Sequence, residues 1–167
     1  MSWSRVCVVG LTVALAAGAG GWAGASSDAL QATLYRYLDR GSVSKNLWAG
    51  LLREPSASSK ALAVQVLASS ANPSSAPLLR ELLNDLDPGV RRQALVAAGR
   101  IGAAADTLPA IGLKSSTPAV RRAAVWAGCH TGGEAVGPLL ALLESERNTA
   151  VLETAVANLW RLEGVAW

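Results

Sequence analysis

The strongest constraint on the fold is an eight-residue phrase that recurs about thirty residues apart along the chain. It reads DPGVRRQA at 87–94 and TPAVRRAA at 117–124, and a weaker copy reads NTAVLETA at 148–155. Self-similarity at a fixed period indicates one structural unit that is stacked several times. Each unit buries its apolar face against its neighbour, and the stack presents a long surface. The repeat therefore predicts a binding surface, and it predicts no enclosed catalytic pocket.

Apolar residues within the repeats have helical spacing. In the best copy they are separated by three and four positions, which places them in one stripe on a helix. The stripes consist of Val90, Ala94, Ala97 and Ile101, then Val120, Ala124 and Ala127, then Val151, Ala155 and Leu159. The chain beyond residue 25 has no stretch with the alternation of a half-buried strand. These patterns predict an all-α fold.

The helix boundaries can also be read from the sequence. A side chain with an oxygen acceptor precedes each stripe, as at an N-cap, at Asp87, Thr117 and Asn148. Proline at a first helical position loses no hydrogen bond, and the first two caps are followed by Pro88 and Pro118. Glycines lie where the first and second of these helices should end, at Gly102 and at 132–133.

A second helix precedes each striped helix. Residues 76–83 and 137–144 correspond to each other, whereas residues 106–113 carry Pro109 and Gly112 and predict a short or irregular helix. A poorly matched pair runs from about residue 45 to 69, and residues 29–38 predict a lone helix. Such a leading helix can cap the open end of a stack.

These phrases resemble HEAT repeats, specifically the short bacterial kind named after phycobilisome lyases. The resemblance covers roughly residues 45–162 and implies a right-handed alpha-alpha superhelix that binds other proteins, although some members attach chromophores or bind nucleic acid. In that family an acid and the first arginine form a polar ladder between repeats. The resemblance thus assigns Asp87, Arg91 and Arg121 to a ladder, which should end before Leu152.

The predicted organisation has three parts: a signal peptide at 1–25, an N-terminal capping helix at 26–43 and HEAT-like repeats at 44–167. The last part contains about four helix pairs, at 44–71, 73–102, 104–132 and 133–162.

The first 25 residues predict export. Arg5 is followed by an uncharged segment, and residues 23–25 read AGA, the small-x-small pattern of a signal peptidase site. We expect a periplasmic or extracellular protein with no membrane contact after cleavage. The alternative is an inner-membrane anchor formed by residues 6–25, which could just span a bilayer.

Charge and cysteine content disfavour several functions. The net charge of +3 is too small to predict a nucleic-acid partner. Cleavage after residue 25 would leave Cys129 as the single cysteine, next to the single histidine, His130. Neighbouring helical residues point about 100° apart, and one Cys and one His cannot complete a metal site. We therefore expect no catalytic residues, no metal and no cofactor.

One face of the striped helices carries residue types typical of protein interfaces. Arg92 and Arg122 occupy equivalent positions, Trp126 lies one turn after Arg122, and Trp160 follows in the last repeat. Arginine and tryptophan are enriched at binding hot spots. The hypothesis is a contact patch on the concave face; the alternative is that the tryptophans fill gaps beside small residues while the arginines are solvated.

The sequence thus predicts a non-catalytic scaffold or adaptor of the cell envelope whose partner is another protein. One alternative is a lyase- or chaperone-like accessory protein that handles a cofactor or chromophore, for which Cys129 and Trp126 are the candidates. Another is that the chain is the N-terminal part of a longer repeat array. The apolar stripe of the last repeat also predicts possible self-association.

Overall fold

The computed structural model describes residues 32, 35, 36 and 57–162, and in these residues all regular structure is helical. The chain divides into two compact units, Met1–Arg53 and Glu54–Trp167. In the first unit the three described positions are helical, and Arg36 Nε donates a hydrogen bond to the Ala32 carbonyl oxygen at 3.2 Å. The predicted signal peptide, and the rest of the predicted capping helix, lie outside the described residues.

The described part of the second unit contains seven α-helices. They are α1 (Ala57–Ser70), α2 (Ala76–Leu82), α3 (Pro88–Ile101), α4 (Leu108–Leu113), α5 (Pro118–Thr131), α6 (Val136–Ser145) and α7 (Thr149–Asn158). Short 3-10 helices lie at Pro73–Ser75, Gly102–Ala105, Gly133–Ala135 and Leu159–Arg161. None of the helices in the described residues is both long enough and apolar enough to cross a bilayer.

The striped helices pack on one another in chain order. Helix α1 contacts α3, α3 contacts α5, and α5 contacts α7. The first helices of the pairs cover this row, since α2 packs on α3, α4 on α3 and α5, and α6 on α4 and α5. The prediction of an all-α repeat fold is confirmed.

The core lies along the predicted stripe. The three valines that open it, Val90, Val120 and Val151, are at most 1% exposed. Ala94, Ala124 and Ala155 follow one turn later and are buried as well, whereas the far ends of the stripe at Ile101 and Leu159 are only half-buried. Small alanine side chains at the contact let neighbouring helices approach closely, which is how a row of short helices forms a continuous core.

The helix ends follow local hydrogen bonding. Asp87 Oδ1 accepts the Gly89 N–H at 2.6 Å, and Asn148 Oδ1 accepts the Val151 N–H at 3.3 Å. Thr117 lies at the N-cap of α5, but its hydroxyl makes no capping hydrogen bond. Helices α3 and α5 end at Gly102 and Gly132, whose φ angles of 75° and 66° suit glycine.

Helix α4 is the shortest of the seven in the described region, with six residues. It carries Pro109 and Gly112, and the close packing at Gly112 explains the glycine. A Cβ added there would lie 2.6 Å from Leu95 Cδ1 and 2.9 Å from Ala124 Cβ. The absent side chain lets α4 lie directly against α3 and α5.

Candidate protein-binding surface

Three of the four predicted contact residues meet in one cleft. The cleft has a volume of about 400 Å³ and lies between α3, α5 and α7. We call it the Arg–Trp cleft; it is lined by Arg92, Gln93, Val96, Ala119, Arg122, Ala123, Trp126 and Thr154. The lining contains two cations and no anion, so the cleft carries a net positive charge.

Helix spacing positions the cleft residues. Arg92 and Arg122 hold the same place in consecutive repeats, so both guanidinium groups are exposed on the same side of the helix row. Trp126 lies one turn after Arg122 and is half-buried. Thr154 comes from the next repeat, and its hydroxyl donates to the Ala150 carbonyl oxygen at 2.8 Å, which points to a fixed side chain.

Trp126 also fills a gap in the helix row. A Cβ built on Gly99 of α3 would lie 2.4 Å from Trp126 Cζ3, so the indole lies over a position that has no side chain. The His130 ring stacks on the indole with 4.0 Å between centroids and 31° between planes. Trp126 therefore fills a gap beside a small residue, as the alternative to the contact patch predicts. It also lines the cleft.

Trp160 lies outside the Arg–Trp cleft. Its side chain is 69% exposed, its Nε1–H donates to the Ala157 carbonyl oxygen at 3.0 Å, and the Arg161 guanidinium carbon lies 4.6 Å from the ring centroid. The 3-10 turn at Leu159–Arg161 directs this tryptophan differently from its repeat equivalents, Gly99 and Cys129.

The polar ladder includes Arg121, which the resemblance assigned to it, and three residues that it did not assign, Lys60, Asp85 and Glu146. Lys60 Nζ lies 2.7 Å from Asp85 Oδ2, and Arg121 forms a two-pronged pair with Glu146 at 2.7 Å and 3.0 Å. Asp87, which the resemblance places in the ladder, instead caps α3 because its carboxylate faces the Gly89 amide. Arg91 donates to the carbonyl oxygens of Asp85 and Leu86, in the loop before α3.

Glu146 is a buried charge that is fully compensated. It is 6% exposed and accepts from the Arg121 guanidinium and from the backbone N–H groups of Asn148 and Arg147. These donors lower the pKa of Glu146 to about 2, and the same pair raises the pKa of Arg121. Burial by itself would raise the pKa of Asp85, but Lys60, the Asp87 amide and Arg91 together lower it. The carboxylates of Asp85 and Glu146 are therefore ionised at neutral pH.

Cys129 is poorly suited to nucleophilic attachment of a chromophore. It is 3% exposed, and burial raises the pKa of its thiol to about 11. It lines a separate cleft of about 220 Å³ with His130, whereas Trp126 lines the Arg–Trp cleft. His130 Nδ1–H donates to the Trp126 carbonyl oxygen at 2.8 Å. Among the described residues, no group of three His, Cys, Asp or Glu side chains could hold a metal ion.

A row of consecutive helix pairs with a polar ladder defines an α-helical repeat protein. The sequence pattern of HEAT repeats matches residues 44–127, about half of the chain. The chain belongs to the HEAT-repeat family. Repeats of this family generally serve as scaffolds for protein interaction. The narrower resemblance to the phycobilisome-lyase type stays a prediction. A search of curated proteins found no match.

Proposed function

We propose that this protein is a non-catalytic adaptor that binds an acidic segment of another protein through the concave face of the helix row, at the Arg–Trp cleft. The observation that carries the proposal is the convergence of Arg92, Arg122 and Trp126 from consecutive repeats on one cleft of about 400 Å³. Two guanidinium groups supply charge-assisted hydrogen bonds, and the half-exposed indole supplies flat apolar contact area.

The cleft suits a protein ligand because its polar and apolar groups are spread along two helices. Val96 and Ala119 provide apolar contacts in the same lining, and Thr154 joins it from the third helix. An extended acidic segment with one aromatic or aliphatic side chain could contact all of them. The small net charge of the chain makes a nucleic-acid partner less suitable.

The proposed place of action is the cell envelope. This part of the proposal rests on the sequence of residues 1–25 and on the AGA pattern at 23–25. Sequencing the amino terminus of the protein purified from the periplasm tests it. A terminus at Ser26 supports export with cleavage, whereas an intact Met1 in the membrane fraction supports the anchored alternative.

Charge reversal in the cleft should abolish partner binding. Arg92→Glu and Arg122→Glu replace exposed side chains, so we expect each variant to fold normally and to lose partner affinity by at least about tenfold. The measurement compares proteins retained by immobilised wild type and variants in envelope extracts, followed by titration of the recovered partner. Trp126→Ala is the third variant, with circular dichroism to verify folding.

Arg100→Glu is the matched control. Arg100 is exposed on the same helix as Arg92 but lies outside the lining of the cleft. The control variant should retain the partner. Equal retention by Arg92→Glu, Arg122→Glu and wild type would contradict the proposal.

A further inference from the structure

The loops before α3, α5 and α7 share one equivalent position. In each loop a side-chain oxygen two residues before the N-cap accepts the N–H of the N-cap residue. The three pairs are Asp85 with Asp87 at 2.9 Å, Ser115 with Thr117 at 3.2 Å, and Glu146 with Asn148 at 2.9 Å. The middle repeat thus has a neutral serine where its neighbours have a carboxylate.

The two carboxylates each hold a cation from the preceding striped helix. Asp85 pairs with Lys60 and Glu146 pairs with Arg121, each across 25 residues of sequence. The equivalent cation of the middle repeat is Arg91, and the residue at its partner position is the neutral Ser115, which lines the same cleft as Arg91. One pair of the polar ladder is therefore missing.

Arg91 is nevertheless held in the same way as Arg121. Arg91 Nη1 donates to the Asp85 and Leu86 carbonyl oxygens at 2.6 Å and 3.0 Å. Arg121 Nη1 donates to the two equivalent carbonyl oxygens at 3.0 Å and 3.1 Å. In Arg121 the remaining Nε and Nη2 bind Glu146, whereas in Arg91 these two nitrogens make no hydrogen bond within the described part of the chain.

A cleft lies where the missing acid would be. This Arg91 cleft has a volume of about 330 Å³ and includes Arg91, Lys114 and Ser115 in its lining. Asp85 also lines it, but its charge is paired with Lys60 at 2.7 Å. Leu86, which is 95% exposed, provides an apolar contact at the same cleft.

We propose that the Arg91 cleft binds the carboxylate of an Asp or Glu side chain from another protein, next to an apolar residue that contacts Leu86. The ligand carboxylate supplies the absent pair of the ladder and accepts from Arg91 Nε and Nη2. A carboxylate fits better than a phosphate, because the Asp85 carboxylate in the same lining repels the single charge of a carboxylate less than the larger charge of a phosphate. This site is separate from the Arg–Trp cleft and does not depend on it.

The test restores the acid from within the chain. Ser115→Glu, or Ser115→Asp with the side-chain length of Asp85, should pair with Arg91, raise the melting temperature by a few degrees and block the cleft. Ser145→Glu is the matched control, because it adds the same charge at an exposed serine outside the lining of the cleft. The probe is the peptide acetyl-Leu-Glu-amide, with acetyl-Leu-Gln-amide and inorganic phosphate as comparisons.

Binding is followed through the Arg91 Nε–H resonance in NMR spectra of the full chain. The wild type and Ser145→Glu should give a saturable shift with the Glu peptide and bind the Gln peptide at least about tenfold more weakly. Ser115→Glu should give no shift. The proposal is overturned if the wild type shows no saturable response up to on the order of 10 mM peptide. It is equally overturned if phosphate binds more tightly than the Glu peptide, or if both Ser115 variants bind like the wild type.

Discussion

Glu146→Gln should lower the free energy of unfolding by about 2–4 kcal/mol at pH 7, because it leaves the part-buried Arg121 guanidinium without its anion. The glutamine has nearly the same shape, so the loss reports the charge and the hydrogen bonds it accepts. Urea denaturation of wild type and variant measures this difference in the free energy of unfolding. Since the pair links the third and fourth repeats, the C-terminal helices should lose protection from hydrogen exchange first.

The contribution of Glu146 should also depend on pH in a defined direction. Its pKa is about 2 in the folded chain against an ordinary 4.5. The unfolded chain therefore takes up the proton first, so the stabilisation is complete above about pH 4.5 and is lost as the pH falls towards 2. Glu146→Gln should remove much of this acid sensitivity. The control is Glu144→Gln, two residues earlier and exposed. It should change neither the stability at pH 7 nor the loss of stability in acid. Equal stability of the two variants would contradict a ladder role for Glu146.

Gly99→Ala should destabilise the protein by about 1–3 kcal/mol, although alanine is the better helix former by about 1 kcal/mol. The added Cβ would lie 2.4 Å from Trp126 Cζ3 and 3.0 Å from Ala127 Cα. Since Ala127 Cα belongs to the backbone, moving the indole alone does not relieve the contact. Helices α3 and α5 must separate, which disturbs the Arg–Trp cleft as well. Urea denaturation measures the loss, and titration with the partner measures the effect on the cleft.

Gly137→Ala is the control for that substitution. Gly137 is also helical, in α6, but a Cβ added there meets no atom within 4 Å. This variant should be neutral or more stable by up to about 1 kcal/mol. If the Gly99→Ala variant were as stable as the Gly137→Ala variant or more so, this would contradict the close contact between Gly99 and Trp126.

Much of the fold could be predicted because it depends on local chemistry. The Asp87 and Asn148 caps, the buried Val90, Val120 and Val151, and the short α4 all follow from residue type and spacing along one helix. Such features need no knowledge of the facing helix. The same holds for the alignment of Arg92 with Arg122, which follows from the repeat period alone.

The acids of the ladder could not be predicted from the family pattern, because that pattern assigns the acid to the N-cap. Asp85 and Glu146 lie two residues before their caps, where the chain is still a loop and has no periodic signal. The sequence nevertheless contains a pattern from which the ladder pairs can be predicted. Aligning the repeats on Asp87, Thr117 and Asn148 places Asp85, Ser115 and Glu146 in one column, opposite Lys60, Arg91 and Arg121.

The double role of Trp126 could not be predicted from its own helix. Its indole fills the space above Gly99 and lines the cleft at once, and this depends on how α5 is rotated against α3. Thr154 joins the lining from α7 for the same reason. The direction of Trp160 could not be predicted either, because α7 ends at Asn158 and the backbone tightens into a 3-10 turn.

The packing of consecutive striped helices on one another is tested most directly by the nuclear Overhauser effect between Gly99 and Trp126. The absent Cβ of Gly99 points at the indole, so one Gly99 Hα should show a strong contact to Trp126 Hζ3 and an upfield ring-current shift. Contacts from the Trp126 ring to residues of α5 alone, with an ordinary Gly99 Hα shift, would contradict this packing.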